Sequence, residues 1–207
     1  TLFSDGVLVP AEHLRRFEVL GYDAVAITDH ADSSNLDFII PRIVQAAADL
    51  NRFSPTRLIP GIELTHIPPE LFKSLTRRAR DLGALLVVAH GETPVEPVIP
   101  GTNRAALEAG VDLLAHPGFL TEEDARLAAK MGIFLELSGR KGHCLTNGHV
   151  ARTALATGAL LAVNADAHEP GDFMTAQRAE CVALGAGLSA VDYAQLRVNM
   201  ASLVARL

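Results

Sequence analysis

Cysteine is scarce. Cys144 and Cys181 are the only two in 207 residues, far apart and without the paired spacing of a zinc ribbon. This excludes a disulfide-stapled secreted scaffold and leaves two reduced thiols, as expected of a cytoplasmic protein. Long apolar runs are missing as well: the longest, such as ALLVVA at 84–89, fall far short of the roughly 20 residues a membrane-spanning helix needs. No membrane partner is expected. Basic charge is thin: 18 Lys and Arg against 24 Asp and Glu give a net charge of -6, with no stripe that would track a nucleic-acid backbone, so no nucleic-acid partner is expected either. There is no glycine-rich phosphate loop after an early strand, which argues against a nucleotide-binding doubly wound sheet. Nor does any linker, low-complexity segment or charge block divide the chain. With 49% hydrophobic and 20% charged residues, one domain over 1–207 is expected.

What is present is a repeat of short β-branched runs and longer amphipathic stretches. The runs lie at 24–28, 57–62, 84–89, 111–115, 133–137 and 160–164; the stretches lie at 10–20, 39–52, 69–82, 102–109, 121–131, 147–158 and 189–206. Most runs are continuously apolar, as parallel strands covered on both faces should be. Pro10 and Pro69 suit first turns, the segments at 121–124 and 189–192 read as capping sequences, and Gly21, Gly83, Gly110, Gly132 and Gly158 close helices. This βα punctuation predicts a distorted TIM-like barrel. The opening TLFSDG reads as the exit from a strand, so a first strand before Thr1 is expected to complete a (β/α)7 set.

The chemistry sits where each run ends. The first leads into Asp29 and His30, the second into Glu63, the third into His90, the fourth into His116; the fifth carries Glu136, and the sixth leads into Asp166 and His168. In a βα barrel the C-terminal strand ends converge on one mouth, so these groups should face one pocket. A single histidine at a strand end is ordinarily a hydrogen-bonded structural residue. Several imidazoles and carboxylates at equivalent places in successive βα units call for more, because buried carboxylates without cations are costly. Imidazole with carboxylate suits Zn²⁺, Mn²⁺ or Fe²⁺, and the ligand count exceeds what one tetrahedral ion needs.

In order along the chain, Ser4-Asp5-Gly6, Thr28-Asp29-His30, Gly61-Ile62-Glu63, His90, Ala115-His116-Pro117-Gly118 and Asp166-Ala167-His168 resemble the PHP (polymerase and histidinol phosphatase) metallophosphoesterases. The segments ELTHIPPE, VVAHGETPVEP, GTNRAALEAGVDLLAHPG and RKGHCLTNGHV look like the short histidinol-phosphate-phosphatase-like subgroup. The resemblance implies a seven-stranded barrel with two to three divalent ions. Glu63, His90 and His116 would hold one; His30, His168 and Asp5 would hold another. Glu63 and Asp166 would join an upstream His-x-His pair around the remaining one.

The expected activity is hydrolysis of a small phosphorylated metabolite such as histidinol phosphate by a metal-activated hydroxide, with Asp29, Asp166 and His168 as candidates for proton transfer. Arg140, Lys141, His143, His66 and Arg104 are the expected substrate contacts, a guanidinium being able to grip two phosphate oxygens. Glu136 is a candidate to orient a ligand histidine. The short 63–90 interval leaves little room for a substrate-binding insert, which favours an open pocket or one completed in a homo-oligomer. Two other readings compete. One is a noncatalytic PHP-like binding module. The other is a metal-dependent amidohydrolase on a related barrel, which predicts carbonyl chemistry and a bridging lysine or equivalent, for which the sequence offers no matched candidate.

Overall fold

Capping chemistry sets the frame of the elements. Thr121 Oγ1 accepts from the Asp124 N–H at the start of one helix, and Ser189 and Asp192 form a reciprocal capping box at the start of another. Gly110 and Gly132 end helices at φ 73° and 69°, a left-handed conformation that costs glycine nothing.

The computed structural model describes all residues, Thr1–Leu207. The strands are β1 (Ala24–Ile27), β2 (His30–Ala31), β3 (Arg57–Leu64), β4 (Leu86–His90), β5 (Leu113–Ala115), β6 (Phe134–Ser138) and β7 (Leu160–Asn164). The helices are α1 (Pro10–Val19), α2 (Leu36–Leu50), α3 (Phe72–Asp81), α4 (Thr102–Ala109), α5 (Glu122–Met131), α6 (Asn147–Thr157), α7 (Ala176–Gly185) and α8 (Ala190–Arg206). All strand pairs are parallel, in the order β1-β3-β4-β5-β6-β7, with β2 also on β3. Ile27 pairs with Pro60 and His30 with Glu63, so β1 and β2 are one interrupted strand, broken at Thr28-Asp29. The six expected runs are thus all strands, and the sheet curls as a distorted TIM-like half-barrel whose free edges are β1 and β7. The sequence pattern passed over β2 and α7, and it placed the start of α2 at 39 rather than 36.

Every residue of β4 and β6 is buried, as continuous apolar runs require. Side chains alternate between two cores. The larger, with Ile62, Leu64, Val87, Leu114 and Leu135, lies between sheet and helices. The smaller fills the interior of the sheet with Ile59, Leu86, Val88, Leu113 and Phe134, joined by Leu203 from α8. Met200, Val204 and Leu207 of the same C-terminal stretch pack there too. A cavity of about 270 Å³ runs from this interior past both free edges to Glu63, His116 and Asp166.

Candidate metal centre

Because all strands run the same way, their C-terminal ends deliver the titratable side chains to one mouth. His30 lies in β2, Glu63 near the end of β3, His90 at the end of β4, His116 just after β5, and Asp166 and His168 after β7. His143 arrives from a 3₁₀ turn, His143–Thr146, after β6. The rings of His90 and His116 are 4.4 Å apart between centroids, and those of His116 and His143 stack at 4.1 Å.

Each of these three imidazoles has its Nδ1 engaged by the protein. His90 Nδ1 is 3.1 Å from the Gly91 carbonyl oxygen, His116 Nδ1 3.0 Å from Glu136 Oε2, and His143 Nδ1 2.8 Å from Thr93 Oγ1. With Nδ1 so engaged, Nε2 is the free nitrogen of each ring, and the three rings bring one nitrogen apiece within 4.8 Å of the others. Glu136 also accepts from the His116 backbone N–H at 2.9 Å, and Asn164 Nδ2 donates to its other oxygen at 2.9 Å. These contacts fix the His116 ring, as an acid behind a metal-binding histidine would.

A second group lies nearer solvent. Asp5 Oδ2 is 2.9 Å from His168 Nε2 and 3.4 Å from His30 Nδ1. Glu63 stands between the two groups, its Oε1 3.9 Å from His30 Nε2 and 3.8 Å from His116 Nε2. Both Glu63 Oε1 and His116 Nε2 are buried and have no hydrogen-bond partner. A buried acceptor facing a buried imidazole nitrogen at 3.8 Å fits one divalent ion with bonds of about 2.1 Å, since the span is less than two such bonds. The donor set passes as a site for a divalent cation.

The electrostatics agree. Burial pushes the Glu63 carboxyl well above its ordinary range, against the pull of His116. Burial also raises Asp166, with Glu136 adding to it. At His116 burial lowers the pKa, but the Glu136 hydrogen bond and charge outweigh it and hold the ring up at about 9. His90 is pushed down to about 3 and His143 to about 4, by burial first and by His116 next. A divalent ion among these groups would reverse the cost of ionising the carboxylates.

The backbone is strained at the same place. The non-glycine residues with positive φ are His66 (52°), His116 (30°) and Asp166 (51°). Such a conformation costs on the order of 1 kcal/mol or more per residue and persists where the surroundings impose it.

Other sequence-derived candidates are placed as follows. Asp29 is buried but turns to the N-terminal segment, accepting from Thr1 Oγ1 at 2.8 Å and Ser4 Oγ at 2.8 Å. Arg140 Nη1 donates to the Asp166 carbonyl oxygen at 3.0 Å and lies 2.6 Å from His168 Nδ1. Lys141 borders an open polar pocket with Arg140, Asp5 and His168. Arg104 is ion-paired to Glu123 and Asp124 at 2.7 Å each, between α4 and α5, and is not brought to the cluster. His66 is on the rim, 3.0 Å from Glu96 Oε2. Glu96 itself was overlooked. It reaches His66, His90 and His143, and its only sequence signal is an acid between prolines soon after His90.

A curated relative, the uncharacterized protein MJ1295 of Methanocaldococcus jannaschii, is 46% identical over 191 residues, covering 91% of this chain and 88% of the relative. The chain belongs to the MJ1295 family. No family model matches. Among solved structures, a Xaa-Pro dipeptidase with bound methionine is similar at TM-score 0.63 and 13% identity, over 94% of this chain and 67% of that one. A. niger ochratoxinase is similar at TM-score 0.57 and 13% identity, over 86% of this chain. The chain spans 59% of the ochratoxinase. At such identity the likeness concerns the fold.

These findings correct the expectation of PHP membership: the folds this chain resembles are those of an ochratoxinase and a Xaa-Pro dipeptidase, and no family model, PHP included, matches. The phosphomonoesterase reading falls with it, as does that of a noncatalytic PHP-like module. The site offers a physical reason as well. Two of the cations expected to grip phosphate are committed elsewhere, Arg140 to Asp166 and His168 and Arg104 to α5 acids. No helix is long and apolar enough to cross a membrane.

Proposed function

We propose that this protein is a metal-dependent hydrolase acting on a carbonyl-centred bond, of the amide or peptide type, in a small substrate. The observation that carries the reading is the buried, partnerless Glu63 Oε1 poised between His116 and His30 at the mouth of an amidohydrolase-type barrel. Glu63, which the sequence already places between two ions, takes the place of the lysine bridge. His90, His116 and Glu63 would hold one ion, and Asp5, His30 and His168 another; two to three ions of the Zn²⁺, Mn²⁺ or Fe²⁺ type suit these donors. Bound there, such ions supply an activated water and polarise a carbonyl oxygen. The chain's own groups do the rest. Asp166 Oδ2, 3.7 Å from His143 Nε2, and Oδ1, 3.6 Å from His168 Nδ1, can carry a proton between the attacking water and the leaving amine. Lys141, bordering the open pocket beside Asp5 and His168, would hold a substrate carboxylate. The free edges of β1 and β7 flank the cavity.

The test is to count metals in the purified protein and assay N-acyl amino acids and dipeptides with and without chelator. Turnover of an amide is expected, abolished by chelation and restored by metal. Glu63→Gln should reduce kcat/KM by about a hundredfold or more, a few kcal/mol of transition-state stabilisation. Undiminished turnover after complete metal removal, or activity confined to phosphomonoesters, would overturn the proposal.

A further inference from the structure

We propose that Glu96 and His66 are metal ligands, completing the coordination of the ion held at His90 from the solvent side. The inference rests on the cluster being a metal centre, and adds two donors from loops that the strand-end pattern does not reach.

Glu96 lies in the β4–α4 connection, where Pro94, Pro97 and Pro100 stiffen the chain. The loop is seated closely: a Cβ on Gly142 would come within 3.2 Å of Val95 Cγ2. From there the Glu96 carboxylate meets three imidazoles. Its Oε2 is 3.0 Å from His66 Nε2 and 3.2 Å from His90 Nε2, and its Oε1 is 3.3 Å from His143 Nε2. Adjacent donors on one ion with bonds of about 2.1 Å lie about 2.9 to 3.4 Å apart, so these distances suit a shared ion.

Hydrogen bonding does not account for the His90 contact. The Gly91 carbonyl can only accept, so the proton of the neutral His90 ring sits on Nδ1, 3.1 Å away, and Nε2 presents a lone pair. At 3.2 Å from a carboxylate oxygen, that lone pair faces another acceptor, and the contact is repulsive unless a cation lies between. A second proton on His90 would charge a ring that is 1% exposed and borders the rings of His30, His66, His116 and His143. His66 reaches the same point through its left-handed backbone, φ 52°, which lays its ring 4.9 Å from that of His90.

The experiment titrates metal-stripped protein with Zn²⁺ against a chromophoric chelator and records the visible spectrum of the Co²⁺ form. Glu96→Gln and His66→Ala should each weaken one Zn²⁺ site at least about tenfold and alter the Co²⁺ spectrum, with the circular dichroism of the stripped protein unchanged. Wild-type affinity and an unaltered Co²⁺ spectrum in both variants, while Glu63→Gln loses Zn²⁺, would overturn the assignment and leave the metal centre standing. Wild-type protein that takes up no Zn²⁺ or Co²⁺ would overturn both.

Discussion

At the scale of single residues, the centre depends on side chains that never touch an ion. Asn164 donates to Glu136, and Glu136 accepts from both the backbone N–H and the ring Nδ1 of His116. That relay leaves His116 Nε2 as the free donor, buried and aimed at Glu63. Glutamine at 136 keeps the shape but has one accepting oxygen where glutamate has two, so it cannot satisfy both Asn164 and His116. The remaining contact also loses its charge. Glu136→Gln should therefore weaken divalent-ion binding by about ten- to a hundredfold and destabilise the metal-free fold by about 1 to 3 kcal/mol through the unsatisfied buried donor. Competition with a chelator and denaturant melts check the two parts separately. Unchanged ion affinity with reduced stability would reduce Glu136 to a structural role.

At the scale of elements, the close approach of His90 and His116 follows from two interlocked loops. A Cβ on Gly91 would fall 2.3 Å from the Ala115 carbonyl oxygen, and one on Gly118, at φ +66°, only 1.8 Å from that of Glu92. Both obstacles are backbone and cannot swing aside. Gly118→Ala should therefore cost more than about 3 kcal/mol or prevent folding, since left-handed strain adds to a clash that parts the loops. Gly132→Ala is the matched control: its φ is +69°, but nothing lies within 4 Å of the added carbon, so only about 1 kcal/mol should be lost. Similar melting temperatures for the two variants would sink this account. The same geometry explains what the sequence could and could not reveal. His30, Glu63, His90, His116, Asp166 and His168 were legible because a parallel sheet repeats its strand ends, and the repeat can be read from hydrophobic runs. Glu96 escaped because it sits in a proline-rich connection with no periodicity. The place of His143, expected as a substrate contact, could not be read from the sequence, because a 3₁₀ turn brings its ring against that of His116. The two residues of β2 are too few to make a pattern, and α7 has only Ala183 fully buried, so little amphipathic signal marks it. The misassigned activity has a similar origin: order and residue type along the chain identified a metal-binding barrel, but not which guanidinium groups the fold would leave free.

At the scale of the whole molecule, acid stability separates the fold from its metal centre. His13 projects from α1 into an aromatic group, its ring 5.2 Å from Phe17 and 5.1 Å from Phe173, and is only 8% exposed. Burial lowers its pKa from the ordinary 6.5 to about 4. The sign follows from proton counting. Between about pH 6.5 and pH 4 the unfolded chain has bound a proton at this position and the folded chain has not, so folding must expel it, and stability falls as pH falls through that window. Above 6.5 both states are neutral and the residue contributes no pH dependence. The full loss is on the order of 3 kcal/mol, a large share of the 5 to 15 kcal/mol that holds a typical domain together. Replacing the ring with a side chain that does not titrate, as in His13→Leu, should flatten that part of the profile. In metal-stripped protein, where ion loss at low pH cannot contribute, the stability gap between wild type and variant should shift in the variant's favour between pH 7 and pH 4.5. Parallel profiles would show that the His13 proton is not what folding expels, and would move the source of acid sensitivity to the carboxylates and imidazoles at the mouth.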